Sequence, residues 1–93
     1  MADRFEKPIV VGKTDTYTCT IDLDWLGDET IVSHSVTVDG LVVKNLSTVS
    51  DNVIAVSVTG ITAGRSIVVC EWVTSEGRSD CQSGILTVAD SCL

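Results

Sequence analysis

Thr16-Tyr17-Thr18-Cys19-Thr20-Ile21-Asp22-Leu23 alternates residue by residue. Tyr17, Cys19, Ile21 and Leu23 fall on one side, and three threonines and Asp22 on the other. A period of two is that of an extended strand, with one buried face and one solvated face. The same period recurs down the chain. From Thr30 to Val38 it puts Val32, Val36 and Val38 on one face with His34, and Ile31 at the strand's start. A short strand follows at Leu41 to Leu46, before a polar break at Ser47 to Asn52. The period returns where Ile54, Val56 and Val58 alternate with Ala55, Ser57 and Thr59.

Turn chemistry punctuates these runs. Asp39-Gly40 reads as a hairpin turn, Thr59 to Gly64 as a loop, and Ser75-Glu76-Gly77-Arg78 as a second turn before a last strand from Ser79 to Ala89. Between the last two, Ser66 to Thr74 is nearly continuously apolar, with Ile67, Val68, Val69, Cys70, Trp72 and Val73. Such a run suits a central strand covered on both sides, or one whose outer face meets another protein.

Composition agrees with the pattern. Thirty-three of the 93 residues are Val, Ile or Thr, whereas Ala and Leu together supply ten. β-Branched side chains fit a pleated surface and are indifferent helix formers. Six strands, with a seventh at Pro8 to Val11 and turn signals every eight to twelve residues, predict an all-β domain built as a two-sheet β-sandwich or a small barrel. Ninety-three residues make a single domain, with 1–14 as an N-terminal arm and first edge strand and 89–93 as a C-terminal tail. Tyr17, Trp25, Leu26, Ile31 and Trp72 are its expected core and motif residues, and Gly77 its turn glycine. Loss of either tryptophan costs roughly 3–5 kcal/mol if it is buried.

The charge is −7, from 13 acidic and 6 basic residues, and the basic ones build no patch. A phosphate backbone is repelled by such a surface, so no nucleic-acid partner is expected. No apolar run is long enough to cross a bilayer as a helix, and the first residues lack the apolar stretch of a signal peptide. The expectation is a chain made in a cytoplasm, with no membrane partner.

Catalysis finds no support in the sequence. The one histidine, His34, sits on an alternating face, and no nucleophile elbow, phosphate loop or HExxH stretch occurs. No cofactor is expected. Asp22, Asp24, Asp28 and Glu29 are dense enough in hard oxygens to consider Ca²⁺, but Leu26 and Ser33 stand where an EF-hand needs ligands. A solvated acidic loop is the simpler reading.

Cys19, Cys70, Cys81 and Cys92 admit free thiols or disulfides in any of three connectivities. Cys70 and Cys81 lie on the two arms of the last hairpin. A turn centred on Ser75-Glu76 puts them directly opposite, whereas a Glu76-Gly77 loop sets Cys81 against Trp72 and Cys70 against Ser83. The glycine favours the second.

Two stretches carry a resemblance. Asp22-Leu23-Asp24-Trp25-Leu26-Gly27-Asp28-Glu29-Thr30-Ile31, and Val73-Thr74-Ser75-Glu76-Gly77-Arg78-Ser79-Asp80 followed by Ile85-Leu86-Thr87-Val88, resemble segments of small immunoglobulin-like virion proteins of tailed bacteriophages. These are the fibre–tail adaptor-like proteins. The likeness runs from about Asp15 to Val88, and the four cysteines depart from it. It implies an all-β immunoglobulin-like β-sandwich of about six to seven antiparallel strands, and a non-enzymatic structural protein made in the host bacterial cytoplasm and carried in the virion. Its expected role is binding other capsid, tail or fibre proteins at the tail–fibre junction, or decorating the capsid surface, and its copies could also associate with one another.

Ile67, Val69, Glu71, Val73 and Arg78 are the candidate partner-binding residues, with Arg78 also expected to pair with Asp80 or Glu76 in its own hairpin. The rival expectation is a module that recognises a host-surface glycan or protein through solvent-exposed tryptophan. A third, a thiol or metal enzyme, requires a reactive cysteine.

Overall fold

A computed structural model describes residues 2–4 and 8–91. In chain order the elements are β1 (Ala2–Arg4), β2 (Ile9–Val10), β3 (Thr14–Thr20), α1 (Leu23–Leu26), β4 (Ile31–Val38), β5 (Val42–Ser50), β6 (Val53–Gly60), β7 (Gly64–Thr74) and β8 (Ser79–Ala89). One sheet runs β4-β7-β8, with β1 and β2 in succession along the free edge of β8. The other runs β3-β6-β5. The chain changes sheet between β2 and β3, β3 and β4, β4 and β5, and β6 and β7. This is the strand order of an immunoglobulin-like sandwich.

The core lies between the sheets. Tyr17, Cys19, Ile21, Ile54, Val56 and Val58 face Val36, Val68, Cys70, Trp72, Leu86 and Val88, and all are buried. Gly60 marks the crossing of the N-terminal segment from one sheet to the other. Its amide donates to Lys13 O, its carbonyl accepts from Gly12 N, and a Cβ there would lie 3.0 Å from Val10 O.

Several elements depart from the sequence-based expectation, each for a local reason. The alternation of Thr16 to Leu23 ends early. The Asp22 carboxylate accepts from Asp24 N at 2.9 Å and caps α1, so Leu23 opens a helical turn and is exposed. Capping of this kind supplies an orphan amide with a partner and outcompetes extension of the strand. In β4 the register slips between Ile31 and Ser33, so Ile31 packs on the core while Val32 is exposed rather than aligned with Val36. Such a bulge adds one residue to one strand and inverts the face of what precedes it.

β5 has no polar break at Ser47 but runs on to Ser50, through a second bulge between Lys44 and Leu46. It is an edge strand, largely exposed, so polar residues continue it at little cost. Asp39-Gly40 is not a hairpin turn. It carries the chain from β4 in one sheet to β5 in the other. Nor are all strands antiparallel, because β1 and β2 both run parallel to β8.

The last hairpin has a three-residue loop. Val73 pairs with Ser79, Thr74 N donates to Arg78 O, and Gly77 sits at φ 81°. That is a turn followed by a left-handed glycine, the three-residue hairpin form. The odd loop length reverses the parity of both registers expected from the sequence. Cys70 therefore opposes Gln82 and is buried, while Cys81 opposes Glu71 on the outer face. Cys92 lies outside the described residues.

Candidate functional site

β7 is the central strand of its sheet, and its two faces differ sharply. Ser66, Val68, Cys70, Trp72 and Thr74 point inward and are buried. Ile67, Val69, Glu71 and Val73 point outward, so the strand is covered on one side only. Register extends the outer face across the sheet. Val73 lies between Ser33 and Ser79, Glu71 between Ser35 and Cys81, Val69 between Thr37 and Ser83, and Ile67 beside Ile85. The result is a row of Val73, Glu71, Val69 and Ile67 with Ile85 beside it, in which the Glu71 carboxylate separates the two valines and small hydroxyl side chains flank both valines. Ile67 is 53% exposed. Toward the hairpin end, Ser33, Ser35, Glu71, Val73, Ser79 and Cys81 border a shallow groove of about 500 Å³.

Four of the five residues expected to bind a partner therefore share this face. Arg78 does not. It pairs with Glu29, not with Asp80 or Glu76. Its Nε donates to Glu29 Oε1 at 3.0 Å and its Nη2 donates to the Trp25 carbonyl at 2.6 Å, while the guanidinium lies 4.1 Å from the Trp25 ring centroid. Trp25 in turn meets Trp72 edge to face at 6.2 Å. Stacked between a cation and a second indole, Trp25 is half-buried rather than a core residue. The two stretches that carried the family resemblance thus meet in one corner of the molecule. Gly77 supplies the turn that delivers Arg78 to α1, and Leu26 anchors α1 in the core.

A second pattern was invisible in the sequence. The only buried polar side chains of the described core, Ser66 and Thr74, stand near the two ends of β7, and each donates its hydroxyl to a carboxylate flanking β4. Ser66 Oγ donates to Asp39 Oδ1 at 2.7 Å, and Ile67 N donates to Asp39 Oδ2 at 3.0 Å. At the other end Thr74 Oγ1 donates to Glu29 Oε1 at 2.6 Å.

Both carboxyls titrate below their ordinary range. Desolvation pushes Asp39 up, but the hydrogen bonds from Ile67, Ser66 and Leu41 outweigh it. Glu29 is held down first by the Arg78 hydrogen bond, then by Thr74. Two acidic residues thus act as clamps on the central strand. Asp22 is occupied as the α1 cap, and among the described residues no three His, Cys, Asp or Glu side chains converge as a metal-ligand set.

The remaining chemistry-bearing groups are dispersed. His34 Nε2 lies 3.2 Å from Ser47 Oγ and ties β4 to β5, beside the Lys44 ammonium donating to Val36 O. Tyr17 is pushed up to about 12 by burial and by the neighbouring Asp15. The Trp72 indole nitrogen is buried without a hydrogen-bond partner. No known family model matches the chain, and no curated protein matches it.

Proposed function

We propose that this chain is a non-enzymatic structural protein of a tailed-bacteriophage virion, binding another virion protein through the outer face of β4-β7-β8. The observation that carries this reading is the outer row of β7, where exposed Ile67 and half-buried Val69, Val73 and Ile85 sit among hydroxyl side chains, with Glu71 between the two valines. An apolar centre with a polar rim is the anatomy of a protein-binding patch. The resemblance of the α1 corner and the last hairpin to virion proteins supplies the partner class. A glycan-binding role finds less support, because Trp72 is buried and one face of Trp25 is covered by Arg78, leaving no free indole platform.

The test uses particles of the phage that encodes the chain. Mass spectrometry of purified virions is expected to find the protein, and Ile67→Lys is expected to reduce its incorporation about tenfold or more, since a central apolar contact dominates such interfaces. The variant's circular dichroism and melting temperature remain those of the parent. Absence of the parent protein from purified particles overturns the virion assignment. Full incorporation of the Ile67→Lys chain overturns the choice of face.

A further inference from the structure

Near α1 the inner face of β8 breaks the pattern it keeps elsewhere. Register sets Asp80 opposite Trp72 and Gln82 opposite Cys70, so both polar residues occupy core-facing positions, in line with Gly84, Leu86 and Val88. Those last three are buried, whereas Gln82 is half-buried and Asp80 exposed. The sandwich is open at this corner. Ile21, Asp22, Trp25, Trp72, Asp80 and Gln82 border a cleft of about 270 Å³ between the end of β3, α1 and the first residues of β8. Its volume falls below the roughly 300–1,000 Å³ of small-molecule sites and suits a single side chain.

The cleft combines apolar walls with two carboxylates that lack a cation. Ile21 and Trp72 are buried and Trp25 is half-buried. Asp22 Oδ1 accepts from Asp24 N at 2.9 Å, and Asp80 Oδ1 accepts from Cys81 N at 2.8 Å. No described residue forms an ion pair with either. A carboxylate has about four lone-pair sites on its two oxygens, so each keeps capacity for a further donor. Trp72 makes the opposite demand. It is 5% exposed, and its indole N–H has no hydrogen-bond partner. Buried donors are rarely left so, and an occupant bringing an acceptor completes this one.

We propose that this cleft receives an arginine side chain from a second polypeptide. The guanidinium seats against Asp22 and Asp80, its stem lies along Ile21 and the indoles, and a backbone carbonyl of the same segment accepts from the Trp72 indole. Arginine fits better than lysine because its planar fork matches carboxylates and packs against aromatic rings, and it is more weakly hydrated. The chain already holds one arginine in this way, with Arg78 on the Glu29 carboxylate and against the Trp25 ring. A net charge of −7 draws a basic segment toward the surface. The cleft is distinct from the outer row of Ile67, Val69 and Val73, because Trp72 and Asp80 have the opposite parity. Its occupant is therefore tested independently of the virion reading.

The experiment titrates the nitrogen-15-labelled full-length chain with acetyl-Gly-Arg-Gly-amide, followed by NMR through the indole signals of its two tryptophans, Trp25 and Trp72. Both signals are expected to shift and saturate, that of Trp72 downfield as its proton gains an acceptor. The citrulline counterpart keeps the shape and loses the charge, and is expected to bind about tenfold more weakly or less. The lysine counterpart is expected to be weaker than arginine as well. Asp22→Asn with Asp80→Asn is expected to weaken the arginine peptide about tenfold or more. Asparagine caps a helix as well as aspartate does, so α1 keeps its start. Asp28→Asn with Asp51→Asn removes the same charge elsewhere and is expected to change affinity by no more than about twofold. The proposal is overturned by shifts that do not saturate, by a stationary Trp72 signal, by equal binding of the citrulline or lysine peptide, or by equal weakening from the Asp28 and Asp51 pair. Should the Asp22 and Asp80 variant melt below the parent, the citrulline comparison on the parent chain decides the same question.

Discussion

The inner and outer faces of β7 belong to one strand and alternate residue by residue, yet they answer to different requirements. The inner residues Val68, Cys70 and Trp72 fill the space between two sheets, and their shape is dictated by neighbours on β3, β6 and β8. The outer residues Ile67, Val69, Glu71 and Val73 have beside them only each other, the hydroxyl side chains of β4 and β8, and Cys81 and Ile85 of β8. Both faces are rich in apolar residues, so hydrophobicity alone does not separate stability from binding. Position relative to the second sheet does. Substitutions on the inner face are therefore expected to change the melting temperature, and those on the outer face to change association.

The largest effect belongs to Trp72. Truncation to alanine empties the centre of the core and removes the edge-to-face partner of Trp25, for an expected loss of about 3–5 kcal/mol in denaturant unfolding. Phenylalanine keeps a ring in the site and removes the indole N–H, which is buried without a partner. An unsatisfied buried donor costs about 1–3 kcal/mol. Trp72→Phe is therefore expected to lose far less than Trp72→Ala. Equal losses for the two variants would show that the indole N–H contributes to stability.

The ends of β7 come next. Asp39→Ala strands the buried Ser66 hydroxyl and the Ile67 amide, with an expected cost of about 1–2 kcal/mol. The same carboxylate gives the clamp a pH dependence. Its folded-state pKa lies below the unfolded value, so the protonated unfolded chain binds a proton that the folded one resists. Its stabilisation is complete above the unfolded pKa of about 4 and is lost as pH falls through the folded value. Glu29, held down by Arg78 and Thr74, behaves in the same sense. Urea midpoints measured between pH 7 and pH 2.5 are expected to fall in the acid range for the parent, and to fall less steeply for Asp39→Ala and Arg78→Ala. Parallel curves for all three would remove the clamps from the account of acid sensitivity.

How much of this was legible in the sequence follows from the range of each interaction. Period-two alternation is local, so the strands around Tyr17, Val56 and Leu86 could be read directly, and β8 was bounded correctly at Ser79 and Ala89. Bulges are single-residue insertions with no residue type of their own. The slip at Val32 and the three-residue loop at Ser75 were therefore missed, and with the latter the face of Cys81. The Glu29–Arg78 pair spans 49 residues and depends on the stacking of α1 against the last hairpin. Within the sequence Arg78 saw closer carboxylates at Glu76 and Asp80, and only the fold shows that neither is its partner. That Cys19 points inward was readable from its alternating strand, whereas the nearly continuous apolar run around Cys70 left its face open. Which cysteine faces which depends on the order of strands in two sheets, and that order is not a local property.

The smallest expected effect is the one that separates the faces most cleanly. Ile67 is 53% exposed, so Ile67→Lys removes little buried surface and places an ammonium where water already is. The expected change in unfolding free energy is within about 0.5 kcal/mol. Ile67 contributes its backbone amide to Asp39, and that bond is indifferent to the side chain. The lysine stem can lie along Ile85 while its charge stays solvated. A loss of more than about 1 kcal/mol would mean that the outer row is packed as a second small core rather than held open for a partner. Near-zero change, together with the loss of incorporation described above, would assign the apolar excess of β7 to association, because folding would then have no use for it.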